Sequence, residues 1–337
     1  MVAVSGIGSW PGTDVRETLR VVRDLLGEGS GEGVTGLPYL PELPARGPGA
    51  DMVGRTAHLL VDLAVDLQPQ GWRMVDRPGV DAERAGAFWR QDLDELAEAY
   101  DGWSVPMKVQ VTGPWTLASE VWLPLGDRVL SDAGATRDLT ASLAEGVADH
   151  VRTVRRLVPG AKLVVQVDEP ALPTVLLGRV RSESGYRVLR APEPGEAVAA
   201  VRRVLEGAVA GGAHSTVLHC CADRPPLPVL RDARPDALSV DLGRLGPKAW
   251  ESVAVAVEAG TTLWAGLLAT DADPTAYRTA NDDLLASWHE IGLPRRDLAR
   301  VTVTPACGLA GTSPQQARAL TEATVRLAGA LAESAAE

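Results

Sequence analysis

The chain has 337 residues, 45% of them hydrophobic, which is ample for one sizeable core. Its formal net charge is −11, with the acids scattered rather than gathered in a tail, so it lacks the electrostatic footprint of a nucleic-acid or anionic-membrane binder. No basic leader with a long apolar run opens the sequence, and no stretch approaches the roughly 20 apolar residues that span a bilayer; a cytoplasmic protein acting on a small molecule is expected.

In chain order, short β-rich runs alternate with long amphipathic ones. Val2 to Ile7 reads as a strand ended by Gly8-Ser9-Trp10-Pro11-Gly12, and Thr13 is placed to cap a helix through Leu26. Residues 27 to 50 are loop-like, with Val34 to Leu37 as a short second strand. A loop of that length in a compact domain is usually functional. Helices are expected over Asp51 to Leu67 and Asp81 to Tyr100, then a strand over Pro106 to Val111 that stops at Thr112-Gly113-Pro114. Thr136 to Leu157 reads as a helix and Lys162 to Val167 as a strand running into Asp168-Glu169-Pro170. A helix over Gly195 to Ala210 precedes the strand Ser215 to His219. Strands at Ala237 to Asp241, Thr262 to Ala265 and Val301 to Thr304 alternate with helices at Lys248 to Ala259, Tyr277 to Ile291 and Ser313 to Ala332. Eight strands alternating with helices predict a single-domain (β/α)₈ TIM barrel over 1–337, with reactive residues at the C-terminal ends of strands.

Ser9, Asp168, His219, Cys221, Asp241 and Cys307 all follow strands in this reading. His219 and Cys221 share one parity, so both project to the same side at a strand end, whereas Cys220 points the other way into the core. Two thiolates, an imidazole and a carboxylate form a set that Zn²⁺ accepts. The chain's three cysteines form no Cys-x-x-Cys pair, which excludes a small zinc finger. From spacing alone two readings stand: a metal centre across a barrel mouth, or cysteines packed as small hydrophobes. Similarly, Asp168-Glu169 reads either as a site or as a turn before Pro170, and Ser9 either as a site or as a turn into a helix.

Six segments together resemble one family. Ile7-Gly8-Ser9-Trp10-Pro11, Thr112-Gly113-Pro114-Trp115-Thr116, Val165-Gln166-Val167-Asp168-Glu169-Pro170-Ala171-Leu172, His219-Cys220-Cys221, Ser239-Val240-Asp241 and Thr304-Pro305-Ala306-Cys307-Gly308-Leu309 recur in the order found in the C-terminal catalytic barrel of cobalamin-independent methionine synthase. That family lies in a wider group that includes uroporphyrinogen decarboxylase-like barrels. The resemblance implies Zn²⁺ on His219, Cys221, Asp241 and Cys307, with Asp241 standing where the family has the longer Glu. It implies a thiol substrate, homocysteine, whose ammonium group is bound by Asp168 and Glu42 and whose carboxylate is held by Ser9 and its neighbouring backbone. Trp115 is expected beside the substrate.

Departures bear on the methyl donor. The family's two-barrel members carry an N-terminal barrel that helps to bind folate, and only the catalytic barrel is expected here. Glu120 stands where the family has a folate-stacking tryptophan, and Gly266 to Asp271 lacks the family's histidine linked to protonating the leaving folate. A methylated corrinoid protein leaves without needing a proton, so that donor is expected ahead of methyltetrahydrofolate. Rival readings are another zinc-dependent thiol alkyltransferase, a metal-free decarboxylase of the same fold, and a zinc- or thiol-binding protein without turnover.

Overall fold

The computed structural model describes residues 1–27 and 33–337; residues 28–32, within the loop expected over 27–50, lie outside the described residues. Among the described residues there are ten strands: β1 (Val2–Ser5), β2 (Val34–Leu37), β3 (Ala64–Gln68), β4 (Gly71–Val75), β5 (Met107–Thr112), β6 (Leu163–Asp168), β7 (Ser215–Cys220), β8 (Ala237–Asp241), β9 (Thr262–Leu268) and β10 (Thr302–Pro305). Eight of them form one parallel sheet in the order β2-β1-β10-β9-β8-β7-β6-β5. Its two ends meet just past β2, where Lys108 N donates to Pro38 O at 2.8 Å and Leu40 N donates to Lys108 O at 3.0 Å. The expected (β/α)₈ barrel is the observed fold.

The connecting helices are α1 (Val15–Leu26), α2 (Met52–Ala57), α3 (Val80–Ala99), α4 (Pro114–Glu120), α5 (Ala133–Leu157), α6 (Leu172–Leu176), α7 (Pro194–Gly211), α8 (Leu227–Asp232), α9 (Pro247–Glu258), α10 (Tyr277–Glu290) and α11 (Pro314–Ala336). Each long helix lays one apolar stripe on the strands, as in α1, which buries Val15, Leu19, Val22 and Leu26. Its cap is Asp14, one residue beyond the expected Thr13; the carboxylate accepts from Glu17 N at 3.0 Å.

The helix expected over Asp51 to Leu67 is the main correction. Asp51 caps α2, but the helix stops after Ala57, and Asp62 adopts a left-handed φ of 58°. The chain then forms an antiparallel hairpin in which β3 pairs with β4 and Leu67 faces Trp72. The reason is local. Val65 to Gln68 alternates apolar and polar, Pro69 blocks a helix, and Gly71 takes φ 128°, a value open mainly to glycine. The α4, α6 and α8 turns, which follow barrel strands, were also outside the sequence expectation. Among the described residues, no helix is long and apolar enough to cross a membrane.

Candidate functional site

The parallel register places the site. Asp168 on β6 lies opposite His219 on β7, and His219 lies opposite Ser239 on β8. Each residue ends or nearly ends its strand, so their side chains gather at the C-terminal mouth of the barrel. Cys221 follows β7 directly, and Cys307 follows β10 in the Ala306–Gly308 turn.

His219, Cys221 and Cys307 converge with their ligand atoms all within 4.8 Å of one another. The Cys221 and Cys307 sulfurs are 3.0 Å apart across 86 residues of sequence. Their hydrogen bond pushes the Cys221 thiol up and the Cys307 thiol down, with His219 also lowering Cys307. His219 Nδ1 is paired with Ser239 Oγ at 2.9 Å, whereas its Nε2 is buried with no protein partner. A buried orphan nitrogen beside two sulfurs is a donor set that fits Zn²⁺. Cys220 is fully buried in the apolar core, on the opposite side of the strand.

Asp241 is not brought into that group of three. Its Oδ1 accepts from Gly243 N at 3.0 Å and its Oδ2 from Arg244 Nε at 2.8 Å, so it caps the turn after β8. Burial raises its pKa, Arg244 opposes the rise, and Cys307 adds to it.

Beside the three donors is a cavity of 290 Å³ lined in part by Ser9, Glu42, Asp168, His219, Cys221 and Cys307. A larger hollow of 480 Å³ lies between the starts of α1 and α11. Among the described residues, only the first carries a group of three potential metal donors. Asp168 is nearly buried and accepts from Gln166 Nε2 at 2.6 Å. Desolvation raises its pKa; His219, Lys108 and Gln166 pull it back down. Glu42 is joined to the Ser9 turn by two backbone bonds, Glu42 N to Gly8 O at 3.1 Å and Trp10 N to Glu42 O at 2.8 Å. Burial pushes the Glu42 carboxyl up to about 7 against the pull of Arg55. Ser9 is fixed from the other side, where Leu309 N donates to Ser9 O at 2.9 Å.

The structure does not bring Trp115 to this cavity. Its ring is buried in the core at the start of α4, and Nε1 donates to Ala197 O at 3.1 Å on α7. The same helix start explains Glu169, which accepts from Trp115 N and Thr116 N, each at 2.9 Å, and from Thr116 Oγ1 at 2.7 Å. Glu169 is therefore an N-terminal cap supplied from β6's end. His150 is a packing residue, buried against Trp89 with ring centroids 4.7 Å apart.

Sequence reasoning missed Lys108, Gln110 and Gln166, which fill the barrel lumen below the cavity. Their signal was parity: 108 and 110 on one strand, 166 and 168 on the next, all face inward in matched register.

The match to known proteins agrees with this arrangement. Residues 2–330 match the family described as the cobalamin-independent synthase catalytic domain. A B12-independent methionine synthase from Shewanella sp. W3-18-1, solved in complex with selenomethionine, superposes with a TM-score of 0.62 at 12% identity, covering 98% of this chain and 97% of that chain. A dihydrodipicolinate synthetase-like protein from Pseudomonas aeruginosa, at 14% identity over 98% of this chain and 80% of that one, reaches a TM-score of only 0.39 and carries no weight. No curated protein matches the chain.

Proposed function

Because the chain belongs to the family of cobalamin-independent synthase catalytic domains, and is thus a methyltransferase of the methionine synthase type, we propose that it is zinc-dependent and methylates the sulfur of homocysteine to give methionine. The observation that carries the reading is the convergence of His219, Cys221 and Cys307 in the lining of a cavity that Ser9, Glu42 and Asp168 also line. Soft donors and carboxylates in the lining of one small cavity suit a molecule that carries both a thiol and an ammonium group.

His219, Cys221 and Cys307 would hold the metal, with Asp241 as a fourth donor once its carboxylate leaves Arg244. Zinc bound there would act as a Lewis acid that keeps a substrate thiol ionised at neutral pH, where a free thiol of pKa about 8.5 is mostly protonated. Asp168 and Glu42 would orient the substrate by its ammonium group, and Ser9 with the adjacent backbone by its carboxylate. Such fixing lines up the sulfur for in-line attack on a methyl group.

The donor is the second part of the proposal. A methylated folate departs as an amine that must gain a proton. The segment Gly266 to Asp271 offers no histidine for that transfer, and Glu120 replaces an aromatic platform. Both positions favour a methylcorrinoid, although the family's habit is folate.

Metal analysis and a paired assay test the reading. One zinc per chain is expected, with loss of most of it in Cys307→Ser. Homocysteine should be methylated by methylcobalamin, by methyltetrahydrofolate, or by both, and the ratio of the two rates identifies the donor. A pure protein without metal would instead favour a decarboxylase-like reading, and homocysteine binding without methyl transfer from either donor would leave a thiol-binding protein.

A further inference from the structure

Lys108 is a charged side chain that this chemistry leaves unused. It is fully buried in the barrel lumen, on β5, at the seam where the sheet closes on itself. Its Nζ donates to Ile7 O at 2.6 Å and to Gln110 Oε1 at 3.2 Å, and it lies 5.0 Å from the centre of the Tyr39 ring. Ile7 O also accepts from Gln166 Nε2 at 2.8 Å. Next to Lys108 on the same face, Gln110 Nε2 donates to Leu40 O at 2.7 Å. The turn that carries Ser9 and the turn that carries Glu42 are thus tied to each other and pinned to the strand beneath them.

Two details give this pinning a direction. In a trans peptide the carbonyl and the following N–H point opposite ways, so drawing Ile7 O onto Lys108 turns the Gly8 N–H away from the lysine. Gly8 also rests on the lumen floor with no space for a side chain, since a Cβ there would lie 2.8 Å from Gln110 Cδ. The ammonium charge needs its own account. Burying a cation is costly unless opposite charges offset it. Asp168 and Glu42 favour the ammonium form and offset part of the burial that lowers the Lys108 pKa to about 7. A neutral donor could hold Ile7 without such compensation.

We propose that Lys108 is a positioning residue for the carboxylate end of an amino-acid substrate: it fixes the Ile7–Gly8–Ser9 turn and supplies the positive field beneath it, while Asp168 and Glu42 face the ammonium end. The inference rests on the homocysteine reading above and assigns a residue to its selectivity for a zwitterion over a plain aminothiol.

Calorimetric titration tests it without need of a methyl donor. Zinc-loaded wild type, Lys108→Met and Lys108→Gln are each titrated with L-methionine and with 3-(methylthio)propylamine, the same molecule without its carboxylate. Wild type should prefer methionine. In Lys108→Met the methionine Kd should rise about tenfold while the amine's changes by less than about twofold, a selective loss that a general loosening of the site would not produce. Lys108→Gln, which keeps a donor for Ile7 O but lacks the charge, should lie between the two and serves if the Met variant does not fold. Equal weakening for both ligands, or no change for either, overturns the proposal. Wild type that binds neither ligand overturns the homocysteine reading instead.

Discussion

Ser239 Oγ lies 2.9 Å from His219 Nδ1, which leaves Nε2 as the buried ring nitrogen without a protein partner. The pairing follows from register, since the two residues are direct neighbours across β7 and β8. A metal-ligating histidine is normally held by such a partner at its other nitrogen, and removing the partner costs about 10–100-fold in metal affinity. Ser239→Ala should therefore weaken zinc binding by about tenfold in a chelator competition while leaving the thermal unfolding of the metal-free protein nearly unchanged. Equal zinc affinity in the two proteins would mean that packing alone orients the ring.

Asp241 and Arg244 give a second prediction. The carboxylate is occupied by Gly243 N and Arg244 Nε, so it must give up at least the arginine before it can serve a metal. Arg244→Ala should then tighten zinc binding and Asp241→Asn should weaken it, each by several-fold in the same chelator competition. Zinc affinity indifferent to both changes would assign Asp241 to capping the turn after β8, with His219, Cys221 and Cys307 as the whole protein ligand set.

Gly308 offers a test of the substrate end that spares the metal. A Cβ at this position would fall 2.1 Å from Ser9 Oγ, so Gly308→Ala must displace the serine. The KM for homocysteine should rise about tenfold with little change in zinc content, because the lost contact is made to the ground state and the transition state alike. Zinc lost in proportion to activity would show that the substitution disturbs the neighbouring Cys307 rather than Ser9.

Much of this was legible in the sequence because the barrel's strands are buried on both faces and read as short Val- and Leu-rich runs between amphipathic helices. His219, Cys221 and Cys307 stood out because soft donors are scarce and sat at strand ends. The hairpin after α2 was not legible as such: Leu59, Leu60, Leu63, Val65 and Leu67 supply apolar spacings that suit a helix as well as a strand, and tertiary packing of Val65 and Trp72 decides between them. Lys108 was passed over for a different reason. A lysine in a strand normally marks a solvent face, and only the inward parity shared with Gln110, Gln166 and Asp168 reveals a polar lumen. Trp115 is the reverse case: an aromatic residue in a family motif suggests a substrate contact, but its indole nitrogen is bonded to Ala197 O on α7 and its ring is core.

Glu42 makes the last prediction, on pH. Burial raises its pKa from 4.5 to about 7, and Arg55, with Nε 4.0 Å away, opposes the rise. Between those values the folded chain holds a proton on Glu42 that the unfolded chain releases, so the Glu42 contribution to unfolding free energy falls as pH rises from 4.5 to about 7, whereas His150, lowered from 6.5 to about 3 by burial, contributes with the opposite sign below 6.5. Glu169, also raised to about 7 by burial, acts in the same direction as Glu42 over the same window. Lys108 does not interfere there: its pKa is lowered from 10.5 to about 7, so its contribution has the opposite sign and lies above that window. In Glu42→Gln the slope of unfolding free energy against pH should become more positive by up to about 1.4 kcal/mol per pH unit, the value for one proton, with the Glu169 and His150 parts left in place. Urea unfolding of both proteins at intervals across the window measures this. A slope that does not change would mean that Glu42 is already ionised at the acid end, with Arg55 outweighing burial, and that its carboxylate meets a substrate ammonium group without first releasing a proton.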